Sequence, residues 1–185
     1  RTRKIHFESI SFGSGYMRRI PDGYDRERAK EFFVGLLSEE VVPMLEKYDA
    51  HLNIEELQAS ETNFINTCKE AAEIAQAVNH PRVGVLCDFY HMTMGGETAA
   101  DVPDFAKQVG HVHLASPTSS RSIPYETDGD DAAYRAFLKA LAENGFDGRF
   151  SAEGGVAGDR DFATALKEGY TYMEALLMPY EGKKA

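Results

Sequence analysis

Residues 83–92 read Val-Gly-Val-Leu-Cys-Asp-Phe-Tyr-His-Met, and this stretch decides the fold. Its first half is apolar almost throughout, through Val83, Val85, Leu86 and Cys87, and then turns polar at Asp88. A short continuous apolar run suits a parallel strand covered on both faces better than a half-solvated antiparallel one. A polar residue directly after such a run stands where α/β proteins bind ligands, at the carboxyl end of a strand.

The same alternation extends in both directions. Upstream, Thr67-Cys-Lys-Glu70 has the form of a capping box opening a helix over 68–79. Before it comes the run HLNIEEL at 51–57, and before that a stretch from 25 to 49 with Phe33, Leu36, Leu37, Val41, Met44 and Leu45 at helical spacing. Pro43 lies inside that pattern and is expected to kink or divide the helix. A first strand is expected in KIHFESISFGSG at 4–15, stopped by its glycines. Downstream, a helix is expected in ADVPDFAKQV at 100–109 and a strand in GHVHLAS at 110–116. An amphipathic helix with a glycine stop follows at 130–145, then the strand RFSAEGG at 149–155 and a closing helix at 161–177.

Five strand–helix units in alternation specify a parallel sheet, either doubly wound or closed as a (β/α)8 barrel. A full barrel needs eight units and about 250 residues. With 185 residues, the chain is about three units short, so the expectation is a single domain over 1–185 forming part of a barrel. No GxGxxG or P-loop follows the first strand, which removes the usual nucleotide signatures.

Composition narrows the class further. A hydrophobic content of 43% and a charged content of 27% are those of an ordinary globular chain. No run approaches the roughly 20 apolar residues of a membrane span, and RTRKIHFESI lacks the apolar core of a signal peptide. Cys68 and Cys87 make neither a disulfide framework nor a CxxC pair, so a reducing, cytoplasmic setting is expected. The net charge of −10 disfavours nucleic acid, whose binding rests on Lys and Arg.

The polar residues that end the strands carry the chemistry. The second strand ends in Glu55-Glu56, the third in Asp88 with His91 beyond it, the fourth carries His111 and His113, and the fifth ends in Glu153. Side chains at the carboxyl ends of barrel strands converge on one open site. Taken singly, a Glu at a strand end is more often solvated or ion-paired, and one of the two histidines could be a core residue. Recurrence on four successive strands is what points to a common centre. Three carboxylates meeting there would repel one another unless a divalent cation relieved them. Oxygen donors with a single imidazole suit Mn²⁺ foremost, with Mg²⁺, Co²⁺ or Zn²⁺ compatible.

The ordered set FGSGYMRRIPDG, NIEELQASETNFINT, LCDFYHM, GHVHLAS and FSAEGG resembles the xylose isomerase-like TIM barrels. Within them it is similar to the sugar and sugar-phosphate isomerases and epimerases that include D-tagatose and D-psicose 3-epimerases. The resemblance covers essentially the whole chain and aligns it with strands four to eight of the barrel. It implies that Glu55, Asp88, His113 and Glu153 bind the metal, with Glu55 and Glu153 also serving as catalytic acid and base. It further implies that His91 contacts the substrate hydroxyls and that Arg121 holds the far end of the substrate. The implied chemistry is Lewis-acid stabilisation of an enediolate between two glutamates on opposite sides of a sugar carbon. The implied partners are a small-molecule sugar or sugar phosphate and a second copy of the chain in a homo-oligomer, with no membrane.

Two departures are visible. Glu56 stands where the family commonly has proline, and Ala-Ser-Pro-Thr-Ser-Ser-Arg at 115–121 replaces the GE-x-NR stretch of the better-known epimerases. The same metal set would serve an inosose dehydratase or a keto-acid isomerase. An inactive partial-barrel subunit is the non-enzymatic alternative. The apurinic endonucleases share the barrel but need an Asp-x-His pair that the residues after Arg121 do not supply. Arg18 and Arg19 read as a charged surface loop or a phosphate contact, Phe64, Phe89 and Tyr90 as pocket lining or core, and the basic end GKKA as a solvated tail.

Overall fold

The computed structural model describes residues 8–180; the first seven residues of the chain and the basic tail lie outside them. Its centre is a five-stranded parallel sheet in the order β1-β2-β3-β4-β5. The strands are β1 (Ser9–Phe12), β2 (His51–Glu55), β3 (Val83–Asp88), β4 (Val109–Leu114) and β5 (Arg149–Ala152). Each strand pairs with the next in sequence. Spatial order equal to chain order is the arrangement of a barrel, since a doubly wound sheet reverses direction at a switch point. The sheet therefore forms a curled half-barrel.

Side chains alternate between its two faces with the period of two. Leu52, Ile54, Val83, Val85, Cys87, Val112 and Leu114 point outward into one buried cluster with residues of the helical layer. That layer consists of α1 (Arg26–Leu36), α2 (Val42–Tyr48), α3 (Cys68–Val78), α4 (Phe89–Met94), α5 (Asp131–Glu143) and α6 (Phe162–Leu177). Ala71, Ala72, Ile74 and Ala75 bury the inner face of α3, and Tyr134, Phe137, Leu138 and Leu141 that of α5. The concave face instead carries Asn53, His111 and Arg149, which line an open trough of about 1080 Å³ at the amino ends of the strands.

Local signals explain most element boundaries. Asp25, Thr67 and Asp161 cap α1, α3 and α6, each accepting a backbone N–H with its side chain. Only half of the expected capping box forms. Thr67 accepts from the Glu70 N–H at 3.0 Å, but Glu70 Oε2 reaches past Thr67 to the N–H of Asn66 at 2.6 Å. The expected division at Pro43 takes a definite form, a π-helical turn over Leu37–Val41 joining α1 to α2. Proline has no N–H to give and crowds the carbonyl four residues back, and the wider turn accommodates both.

Two expectations change. Residues 100–109 do not form a helix but two short 3₁₀ turns, Val102–Asp104 and Ala106–Gln108. Val102, Phe105 and Ala106 stand at helical spacing and are buried, but Pro103 lies inside the run and lacks the N–H a continuous helix would need. The strand read in the stretch 83–92 stops at Asp88, and residues 89–94 form α4, a helix that the sequence pattern does not separate from it, capped by that same Asp88.

Candidate metal centre

Four of the sequence-selected residues come together at the carboxyl ends of the strands. Glu55 ends β2, Asp88 ends β3, His113 is the penultimate residue of β4, and Glu153 directly follows β5. One donor atom from each lies within 4.8 Å of all the others. Register makes this possible, because Asp88 pairs with His113 across β3 and β4 while Glu153 N–H donates to the Leu114 carbonyl.

His113 Nδ1 is the hub. It lies 3.0 Å from Glu153 Oε2, 3.4 Å from Glu55 Oε1 and 3.7 Å from Asp88 Oδ2. Burial alone would lower the His113 pKa, but the facing carboxylates of Asp88, Glu153 and Glu55 outweigh it and raise the value to about 11. The His113 hydrogen bond in turn holds the Glu153 carboxyl down at about 2. The His113–Glu153 contact contributes to both shifts. Asp88 divides its carboxylate, with Oδ1 accepting from the N–H groups of Tyr90 and His91 while Oδ2 faces the cluster. Glu55 Oε1 is buried and has no hydrogen-bond partner.

These observations test whether a divalent cation fits. The donors are three carboxylates and one imidazole nitrogen, the set preferred by Mn²⁺-like ions and also taken by zinc. A buried carboxylate oxygen lacking a donor is what a ligand atom looks like without its ion. The four residues fit the group.

Arg121 and His91 flank this centre. Arg121 Nη2 lies 2.8 Å from Glu153 Oε2 and 3.4 Å from Asp88 Oδ2, and its guanidinium sits 5.2 Å from the centre of the Tyr90 ring. The turn presenting it holds Ser120 and Arg121 at φ of 54° and 57°. His91 is fully buried; its Nδ1 accepts the Gln58 N–H at 3.3 Å, which leaves Nε2 carrying the proton in the neutral ring. That Nε2 has no hydrogen-bond partner and lies 3.9 Å from Glu61 Oε1. Burial lowers the His91 pKa, favouring this neutral form.

Sequence reasoning missed Glu61, which also lies 3.7 Å from Arg121 Nη1. It sits in the loop after β2, where no periodicity announces a position. Phe64 and Phe89 prove to be core residues at 5% and 2% exposure, whereas Tyr90 is half-buried beside Arg121. Arg18 is corrected: it is buried, its guanidinium donating to the carbonyls of Phe12, Phe64 and Ile65. His111 also lies on the concave face, outside the set of four donors, its ring edge-on to that of His113 at 5.3 Å and its Nε2 2.8 Å from Ser151 Oγ.

The sequence matches the family described as xylose isomerase-like TIM barrel over residues 10–176. The chain belongs to that family. A ketose 3-epimerase of Arthrobacter globiformis is 26% identical over 103 residues, 53% of this chain and 32% of that protein. A Mus musculus protein named "Putative hydroxypyruvate isomerase" is 26% identical over 154 residues, 76% of this chain and 52% of its own length. The chain thus spans about half, or less, of these curated relatives. Among solved structures, the IolI protein with a bound zinc atom superposes with a TM-score of 0.76 at 19% identity, over 95% of this chain and 65% of that one. This xylose isomerase-like chain corresponds to part of the barrel, and its relatives are of the epimerase and isomerase type. No helix among the described residues is long and apolar enough to cross a membrane.

Proposed function

We propose that this chain carries the metal-binding and catalytic part of a divalent-metal-dependent sugar isomerase or epimerase that moves a proton next to a carbonyl. The observation that carries the reading is the convergence of Glu55, Asp88, His113 and Glu153 from four successive strand ends. A divalent cation held there would polarise a ketose carbonyl and its neighbouring hydroxyl.

The chain's own residues then have distinct tasks. In this reading half-exposed Glu153 is the proton acceptor; the His113 contact that lowers its pKa makes it a weak base, so that contact must give way before it acts. Glu55, buried on the opposite flank of His113, enters protonated and delivers its own proton to the other face of the same carbon, while the proton taken by Glu153 exchanges with solvent. His91 offers its Nε2–H to a substrate hydroxyl. Arg121, stacked on Tyr90, holds the far end of a sugar or sugar phosphate. The hydroxypyruvate isomerase-like relative, aligned over 76% of the chain, favours one second reading: a short hydroxy-keto acid as substrate.

Solvent deuterium exchange into a panel of ketoses, inososes and hydroxy-keto acids with Mn²⁺ present tests the proposal. Exchange into one class is expected, with its loss in Glu153→Gln while metal stays bound. No exchange into any of them, or full turnover by Glu153→Gln, would overturn it.

A further inference from the structure

A second group of donors lies on the outer side of the sheet, between β3 and α3. Glu56, Cys68 and Cys87 each place one donor atom within 4.8 Å of the others, and all three are fully buried. They come from the loop after β2, the first residue of α3 and the penultimate residue of β3. Cys68 Sγ lies 3.1 Å from Cys87 Sγ, which in turn lies 3.9 Å from Met92 Sδ. Glu56 Oε1 accepts the Asp88 N–H at 2.9 Å, but its Oε2 is buried with no hydrogen-bond partner. Both cysteines are free.

We propose that Glu56, Cys68 and Cys87, with Met92 as a weak fourth donor, form a second cation site that takes a soft divalent ion of the zinc and cadmium class. The donor chemistry selects the ion, because thiolate and thioether sulfurs favour soft cations whereas the oxygen-rich cluster facing the barrel mouth does not. Burial selects the role. With no open position for water, the site is of the closed, structural type and clamps α3 to β3. Burial pushes both thiols up, Cys87 to about 12, and the position of Cys68 in the first turn of α3 offsets only part of this, so the bound ion must drive their deprotonation. On binding, the ion displaces the thiol protons, which pass to solvent.

A disulfide is the competing use of the same two sulfurs. It would leave Glu56 Oε2 as unpartnered as before, whereas an ion supplies that oxygen with a partner. Zinc–sulfur bonds of about 2.3 Å in a tetrahedron separate the sulfurs by roughly 3.8 Å. Cys68 and Cys87 must therefore part by roughly 0.7 Å from their 3.1 Å contact.

The test uses the full, reduced chain equilibrated with Cd²⁺ and freed of excess ion. Two equivalents per chain and an ultraviolet sulfur-to-cadmium charge-transfer band are expected. Cys68→Ser with Cys87→Ser should remove the band and one equivalent, and Glu56→Gln should weaken that equivalent at least tenfold. His113→Asn should remove the other equivalent and leave the band, which separates this site from the proposed catalytic one. A folded wild-type chain without the band overturns the proposal. So does recovery of both sulfurs as a disulfide after purification without reductant. Should the double serine variant fail to fold, the wild-type band and Glu56→Gln still decide.

Discussion

Gly13 and Glu55 occupy adjoining space so tightly that a methyl group on Gly13 would overlap Glu55 Oε2 and stand 3.0 Å from Glu55 Cδ. The missing side chain at the end of β1 is what lets the Glu55 carboxylate lie over the neighbouring strand. Its φ is not in the left-handed region, so the requirement for glycine here is one of space. Gly13→Ala should leave the fold intact and weaken metal binding by about 10–100-fold, the range found when a ligand's support is disturbed. Metal titration paired with a thermal melt checks this. Unchanged affinity would show that Glu55 does not contribute to the site.

Arg121 competes for the same carboxylates that would hold an ion, through its contacts with Glu153 and Asp88. Removing a cation a few ångströms from a cation site favours the ion, although partial exposure and salt weaken the effect. Arg121→Ala should therefore raise metal affinity by several-fold while raising the substrate KM by at least about tenfold, as expected for a lost charged contact. A fall in metal affinity would contradict this account of the charge balance.

His113 binds a proton where it would bind a metal. With its pKa at about 11 in the metal-free protein, uptake of an ion near neutrality must expel that proton. Affinity should rise about tenfold per pH unit between roughly pH 6 and 8, with about one proton released per ion. Calorimetric titration in buffers of different ionisation enthalpy measures both. The folded value lies above the unfolded value of about 6.5. The metal-free protein therefore holds the full stabilisation from this contact below about pH 6.5 and loses it as the pH rises towards 11.

Arg18 ties the turn after β1 to the loop after β2 through the carbonyls of Phe12, Phe64 and Ile65. Burial lowers its pKa to about 10, still well above neutrality, so it remains a cation in the folded chain. Arg18→Leu should cost about 2–4 kcal/mol, since it strands buried acceptors. Urea unfolding would read the loss, and a change below about 0.5 kcal/mol, the range of an ordinary surface substitution, would return Arg18 to the status of a surface residue.

The sequence by itself determined the order of the strands and the polar residues that stand at their ends. Both are local properties: apolar runs such as 83–87 specify buried parallel strands, caps such as Thr67 and Asp161 start helices, and the polar residue closing each run is readable in place. It could not determine which neighbours each side chain meets, because contacts between residues distant in sequence depend on register and curvature. The tertiary structure alone brought Glu61 to His91 and Arg121, turned Arg18 inward, and set Gly13 beneath Glu55. It also parted two adjacent glutamates. Glu55 faces the barrel mouth with Asp88 and His113, while Glu56 faces the outer layer with Cys68 and Cys87, since successive residues of an extended chain point to opposite faces of a sheet.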